Sequence, residues 1–177
     1  MDRDSLARRI YGLSHITGEF TLRSGQVSHE YFDKYLFEAQ PAVLHAVAEQ
    51  MAPLIPDGID ALAGLEMGGI PVVTELSQVS GLPALFVRKA AKTYGTCKLA
   101  EGGDIAGRRL LIVEDVVTSG GQILLSAADL RERGAIIDHV VCVIDRESGG
   151  REKLVEAGLR LHPLFTMSEL KASGVQQ

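Results

Sequence analysis

The chain has 177 residues, enough for one domain with a real core. Hydrophobic residues make up 46% and charged residues 23%, the ordinary balance of a soluble globular protein. The net charge of −5 gives no bulk electrostatic footprint for nucleic acid, and no run approaches the roughly 20 apolar residues that span a bilayer.

The opening Met1-Asp-Arg-Asp-Ser5 does not have the charged-then-apolar order of a secretory leader. Two cysteines, Cys97 and Cys142, share no CxxC spacing and suit free thiols in a reducing compartment, so a cytoplasmic location is expected. Residues 4–14 place Leu6, Ile10 and Leu13 on one face behind Asp4 or Ser5 as a cap, which predicts an amphipathic helix. Gly18-Glu-Phe-Thr-Leu-Arg-Ser-Gly25 alternates Phe20 and Leu22 with polar residues. Tyr31-Phe-Asp-Lys-Tyr-Leu-Phe37 looks like its return strand, and the two predict an antiparallel flap ahead of the main domain.

Pro41 opens a helix to about residue 54, with Val43, Val47 and Met51 at helical spacing and Pro53 and Pro56 ending it. A short buried strand over 59–65 runs into the glycine-rich turn Glu66-Met-Gly-Gly-Ile-Pro71, and a helix over about 71–79 follows. Residues 84–87 form a second strand. Residues 88–107 differ: Arg88, Lys89, Lys92 and Lys98 are cationic, Gly95, Gly102, Gly103 and Gly107 loosen the backbone, and few side chains there could build a core. A long mobile loop is expected, although a solvated charged loop is the blander reading of such a run. A strand over 109–114, a helix over 121–133, a strand over 136–144, a short helix over about 149–157, a strand over 159–165 and a helix over 167–172 complete the chain. Alternating short apolar strands and helices predict an α/β fold with a mainly parallel sheet flanked by helices.

Leu110-Leu-Ile-Val-Glu-Asp-Val-Val-Thr-Ser-Gly-Gly-Gln122 is the most specific signal. A buried strand ends in Glu114 and Asp115, and a hydroxyl- and glycine-rich turn leads into a helix. Free backbone N–H groups and the helix dipole make such a turn an anion site, with phosphate the natural anion. The two carboxylates can accept from vicinal hydroxyls or hold Mg²⁺ through water. No Gly-Lys-Ser/Thr is present, so this is not a Walker A loop. Three other strand ends carry suggestive residues: 64–69, Arg88-Lys89 and Asp145-Arg146. Parallel sheets bind ligands beyond the carboxyl ends of their strands, so convergence on one site is expected. Taken singly, Arg146 could be a surface residue and Tyr31 and Phe32 packing residues. His139 and His162 read as structural, and Cys97 carries no assigned role.

The order of two hydrophobics, two acids, two hydrophobics and Thr-x-Gly-x resembles the phosphoribosyl-diphosphate (PRPP) motif of the type I phosphoribosyltransferases. Arg88-Lys-Ala-Ala-Lys-Thr-Tyr-Gly95 and residues 18–25 are similar to the mobile-loop and N-terminal motifs of the orotate phosphoribosyltransferases. The likeness spans about residues 14–150. It implies the type I phosphoribosyltransferase fold as one domain over 1–177, with an N-terminal helix and hood over 1–40 and a core over 41–177. It implies transfer of the ribose 5-phosphate of PRPP to orotate, giving orotidine 5′-monophosphate and diphosphate in UMP biosynthesis.

By the same resemblance, Glu114 and Asp115 would hold the ribose hydroxyls, and Val116, Val117, Thr118, Ser119, Gly120, Gly121 and Gln122 would wrap the 5-phosphate. Arg88, Lys89, Lys92 and Tyr94 would serve PRPP, with Lys89, Lys92 and Asp115 in catalytic roles. Lys89 would reach the neighbouring subunit of a homodimer. Arg23, Tyr31, Phe32, Thr118 and Arg146 would surround orotate. Mg²⁺ is implied as cofactor, carried on PRPP and water near Glu114 and Asp115 rather than bound directly. Partners would be PRPP, orotate and a second copy, with no nucleic acid or membrane. Three positions depart from the family pattern: Arg23 and Gly68 stand where Lys is common, and Tyr94 where His is. Two rivals stay open: transfer to another base, and a non-catalytic PRPP-binding regulator.

Overall fold

The computed structural model describes residues 1–21, 25–90 and 98–174. Its first helix, α1 (Arg3–Ser14), starts earlier than the apolar spacing suggests, because Asp2 is the cap: Asp2 Oδ1 accepts from Ser5 N at 2.8 Å. Strands β1 (His15–Thr21) and β2 (Val27–Phe32) pair antiparallel, with His15 opposite Phe32 and Thr21 opposite Val27.

The return strand is therefore not residues 31–37. That stretch lacks alternation, and its second half turns instead. Asp33 Oδ1 accepts from Tyr35 N at 3.1 Å, and the short helix α2 (Tyr35–Glu38) buries Phe37 in the core.

Helix α3 (Pro41–Met51) and strand β3 (Ala61–Leu65) follow, then α4 (Gly69–Ser80), β4 (Ala84–Val87) and β5 (Ala100–Glu101). The second half of the chain runs β6 (Arg109–Val117), α5 (Gly121–Glu132), β7 (Ile136–Asp145), α6 (Gly150–Glu156), β8 (Arg160–Thr166) and α7 (Met167–Gly174). The main sheet has the order β5-β4-β3-β6-β7-β8, parallel except for β5. The α/β reading of the sequence is correct in this respect.

Both faces of the sheet are covered. Leu110 and Ile112 of β6 pack with Ile123, Ala127 and Leu130 of α5. Leu111 and Val113 point the other way, toward Val72, Val73 and Leu76 of α4 and Val47 and Met51 of α3. Strand periodicity of two, with an apolar residue at every step, produces this double burial.

The stretch 88–107 departs from a simple loop. Leu99 and Ala100 are buried, Arg88 N donates to the Leu99 carbonyl at 2.9 Å, and Ala100 pairs with Val87. The chain thus returns to the sheet edge, and these residues do contribute to the core. Residues 91–97 lie outside the described residues.

Candidate active site

Strand β6 sits centrally, and its carboxyl end meets α5 through residues 118–120. Gly120 takes φ 71°, a left-handed conformation that glycine adopts without strain, and serves as the N-cap of α5. Its carbonyl accepts from Leu124 N at 3.0 Å, which starts the helix. Residues 116–123, with Glu114 and Lys34, line a cavity of about 340 Å³. Backbone N–H groups of the first helical turn and the hydroxyls of Thr118 and Ser119 are concentrated there, an arrangement suited to a phosphate.

The two acids divide. Glu114 is half-buried and lines the cavity. Burial, then the neighbouring Asp115, pushes its carboxyl well above the ordinary value. Asp115 is fully buried and points the other way. Its Oδ1 accepts from Val116 N at 2.5 Å, and its Oδ2 pairs with Lys34 Nζ. Gly68 makes room for this pair. A Cβ at that position would collide with the Asp115 carboxylate and stand 2.8 Å from Lys34 Nζ.

Glu38 lies against the same carboxylate. Burial, then the charge of Asp115, pushes it up to about 9. Among the described residues neither of its oxygens has a hydrogen-bond donor. Glu38 therefore keeps its proton at neutral pH and can share it with Asp115. Burial opposes the Lys34 ammonium, but the hydrogen bond and charge of Asp115 outweigh it and raise its pKa.

A second cavity of about 170 Å³ lies between the β1–β2 hairpin, the end of β7 and α7. Tyr31, Phe32 and Arg146, expected from the sequence to meet a planar acid, all line it. Arg146 N donates to the Val117 carbonyl at 2.9 Å, which ties this wall to the end of β6. Thr118 lines the cavity at the end of β6 and is not among the residues of this second one.

His15, Glu30 and Lys171 also line the second cavity and were not anticipated. His15 Nε2 lies 2.9 Å from Glu30 Oε2. That hydrogen bond, then the charge of Lys171, lowers the Glu30 carboxyl. Lys34 and Glu38 were missed too. Nothing adjacent in sequence marks them, because Asp115 is remote along the chain.

The cations at the end of β4 lie elsewhere. Arg88 Nε faces Glu101 Oε1 at 3.6 Å, and Lys89 N donates to Glu66 Oε1 at 2.5 Å while its side chain is exposed. Neither side chain lines the cavity at the end of β6 of its own chain. Arg23, Lys92 and Tyr94 lie outside the described residues. His139 and His162 meet at 2.9 Å across β7 and β8, outside both cavities.

The fold places the chain in a class shown by the family comparison: the phosphoribosyl transferase domain model matches residues 37–157. An orotate phosphoribosyltransferase of Nocardioides sp. is 53% identical over 169 residues, covering 96% of this chain and 94% of the relative. A crystal structure of Mycobacterium tuberculosis H37Rv orotate phosphoribosyltransferase with Fe(III) dicitrate matches with a TM-score of 0.87. The identity is 31%, over 96% of this chain and 99% of that one. The same mycobacterial enzyme in complex with PRPP matches with a TM-score of 0.83 at 28% identity, over 97% of this chain and 99% of that one. The chain belongs to the orotate phosphoribosyltransferase family.

Proposed function

We propose that the protein transfers the 5-phosphoribosyl group of PRPP to a ring nitrogen of orotate, releasing diphosphate and orotidine 5′-monophosphate. The observation that carries this reading is the pair of cavities whose walls are linked by one backbone hydrogen bond. One is an anion cradle at the end of β6, and the other is an aromatic and cationic pocket tied to it through Arg146 and Val117. The PRPP held by the mycobacterial relative supports the same assignment for the cradle.

Each residue then has a chemical task. Residues 116–122 hold the 5-phosphate, and Glu114 accepts from ribose hydroxyls. Asp115 joins it once its carboxylate turns toward the ligand. Tyr31 and Phe32 cover the flat face of orotate, and Arg146 pairs with its carboxylate in the fork geometry that suits guanidinium. The fixed positive field favours the anionic ring nitrogen that must attack. No covalent nucleophile is needed. The protein aligns the two reactants as the anomeric carbon gains oxocarbenium character, and cations stabilise the departing diphosphate.

Arg88, Lys89 and Lys92 supply those cations. The placement of Lys89 away from its own cavity supports delivery to a second subunit, hence a homodimer. By the resemblance, Arg23 would serve orotate and Tyr94 would serve PRPP. Hard oxygen donors at the cavity, the Glu114 carboxylate and the Thr118 and Ser119 hydroxyls, suit Mg²⁺ that arrives on the diphosphate and meets the protein through water. When bound, the ion supplies Lewis-acid neutralisation of the leaving group. No described helix is long and apolar enough to cross a membrane. A multiply charged donor that does not cross membranes unaided supports a cytoplasmic setting.

The test is orotate consumption with PRPP and Mg²⁺, followed at the orotate absorbance, with diphosphate release measured in parallel. One-to-one loss of orotate and gain of diphosphate is expected. Diphosphate release with a purine but not with orotate would replace the acceptor. PRPP binding without diphosphate release for any base would replace the enzyme by a regulator.

A further inference from the structure

Lys34 stands where three carboxylates meet. Asp115 and Glu114 come from the end of β6, and Glu38 lies one helical turn further along its own segment. Lys34 Nζ pairs with Asp115 and lies 5.2 Å from the centre of the Tyr35 ring. The side chain is nevertheless 30% exposed. Among the described residues that line the sugar-phosphate cavity, Lys34 is the one cation. It thus touches a buried carboxylate at one side and faces the phosphate cradle at the other.

We propose that Lys34 is a PRPP-binding and positioning residue. Its ammonium alternates between two anions, the Asp115 carboxylate and the phosphoryl oxygens of the phosphorylated sugar, so that ligand entry releases Asp115 toward the ribose hydroxyls. This rests on the transfer reaction proposed above.

Asp115 is fully buried and is not among the residues lining the cavity, so it cannot meet a sugar in the arrangement described. Lys34 is what holds it inward. A buried carboxylate needs a partner, and a flexible four-carbon stem lets one ammonium satisfy either anion. The groups facing this ammonium are Tyr35 and Glu38 from its own segment and Glu114 and Asp115 from β6. None of these groups is a cation, and among the described residues lining the cavity no other cation is present to take over when Lys34 is removed. The space for the pair comes from Gly68, where any side chain would displace it.

The test uses the full chain with Lys34→Met, Gly68→Ala and the double variant, each checked for a wild-type melting transition. Methionine keeps the length of the stem without the charge. For Lys34→Met, the KM for PRPP should rise about tenfold or more while kcat changes less than about threefold, because the charge lost is a binding charge. Gly68→Ala should raise the same KM. The double variant should be no worse than the poorer single variant within about twofold, since both break one pair. A KM for Lys34→Met within about twofold of wild type would overturn the proposal, as would effects that multiply in the double variant. If Gly68→Ala does not fold, Lys34→Met decides alone. PRPP titration by calorimetry without acceptor should show the same loss of affinity, so the result stands or falls separately from the identity of the base.

Discussion

Glu38 is a carboxylic acid that the fold keeps neutral. Its pKa stands at about 9 in the folded chain against an ordinary 4.5. Between those values the unfolded chain loses a proton that the folded chain retains. The stability this group contributes is therefore complete below about pH 4.5 and is lost as pH rises toward about 9. Glu38→Gln imitates the protonated form and removes that slope. It should melt about 3–8 °C higher than wild type at pH 8 and converge with it near pH 4, as a removed penalty of about 1–3 kcal/mol implies. Thermal melts across this range check the sign. Arg146 is a different kind of residue: exposed, anchored through its backbone and free to meet a ligand. Arg146→Ala should raise the KM for orotate about ten- to hundredfold and leave that for PRPP within about threefold, because a lost charge-assisted pair costs about 1.5–3 kcal/mol. Steady-state kinetics varying each substrate in turn separate the two.

The β6–α5 turn concentrates the proposed phosphate site in one short element. Gly120→Ala forces a side chain into φ 71° and brings a Cβ to 3.4 Å from the Gly150 carbonyl. It should cost about 1 kcal/mol of stability and weaken PRPP binding several-fold, read from a melt and a PRPP titration. This element was legible in the sequence because everything that defines it is local: the apolar strand, the two acids, the hydroxyls and the glycines follow one another within residues 110–122. Other elements were not. Tyr31 to Phe37 has aromatic residues without alternation, so its register could not be read, and Asp33 cuts it into a strand end and a helical turn. Strand β5 has two residues, too few to show a period. Its place is set by pairing with β4. The inward turn of Asp115 depends on Lys34 and Gly68, residues that neighbour it only after folding.

At the scale of the whole molecule, Lys89 does not line the proposed sugar-phosphate cavity of its own chain. If a second copy receives it, Lys89→Ala alone should lower turnover by two or more decades while PRPP still binds. An equal mixture of Lys89→Ala and Asp115→Asn chains, after subunit exchange, should then recover roughly a quarter of wild-type activity. Half the dimers would be hybrids, each with one intact site. Assays before and after exchange measure it, and no recovery would argue for sites complete within one chain.

The two cavities draw on different stretches of chain. The proposed phosphate cradle comes mainly from residues 114–123, whereas the proposed acceptor pocket comes mainly from α1, the β1–β2 hairpin, Arg146 and α7. Descent can therefore edit them separately. A lineage can retune which planar acid it accepts by changing the hairpin and the last helix, while the apparatus that holds the costly activated sugar is inherited unaltered.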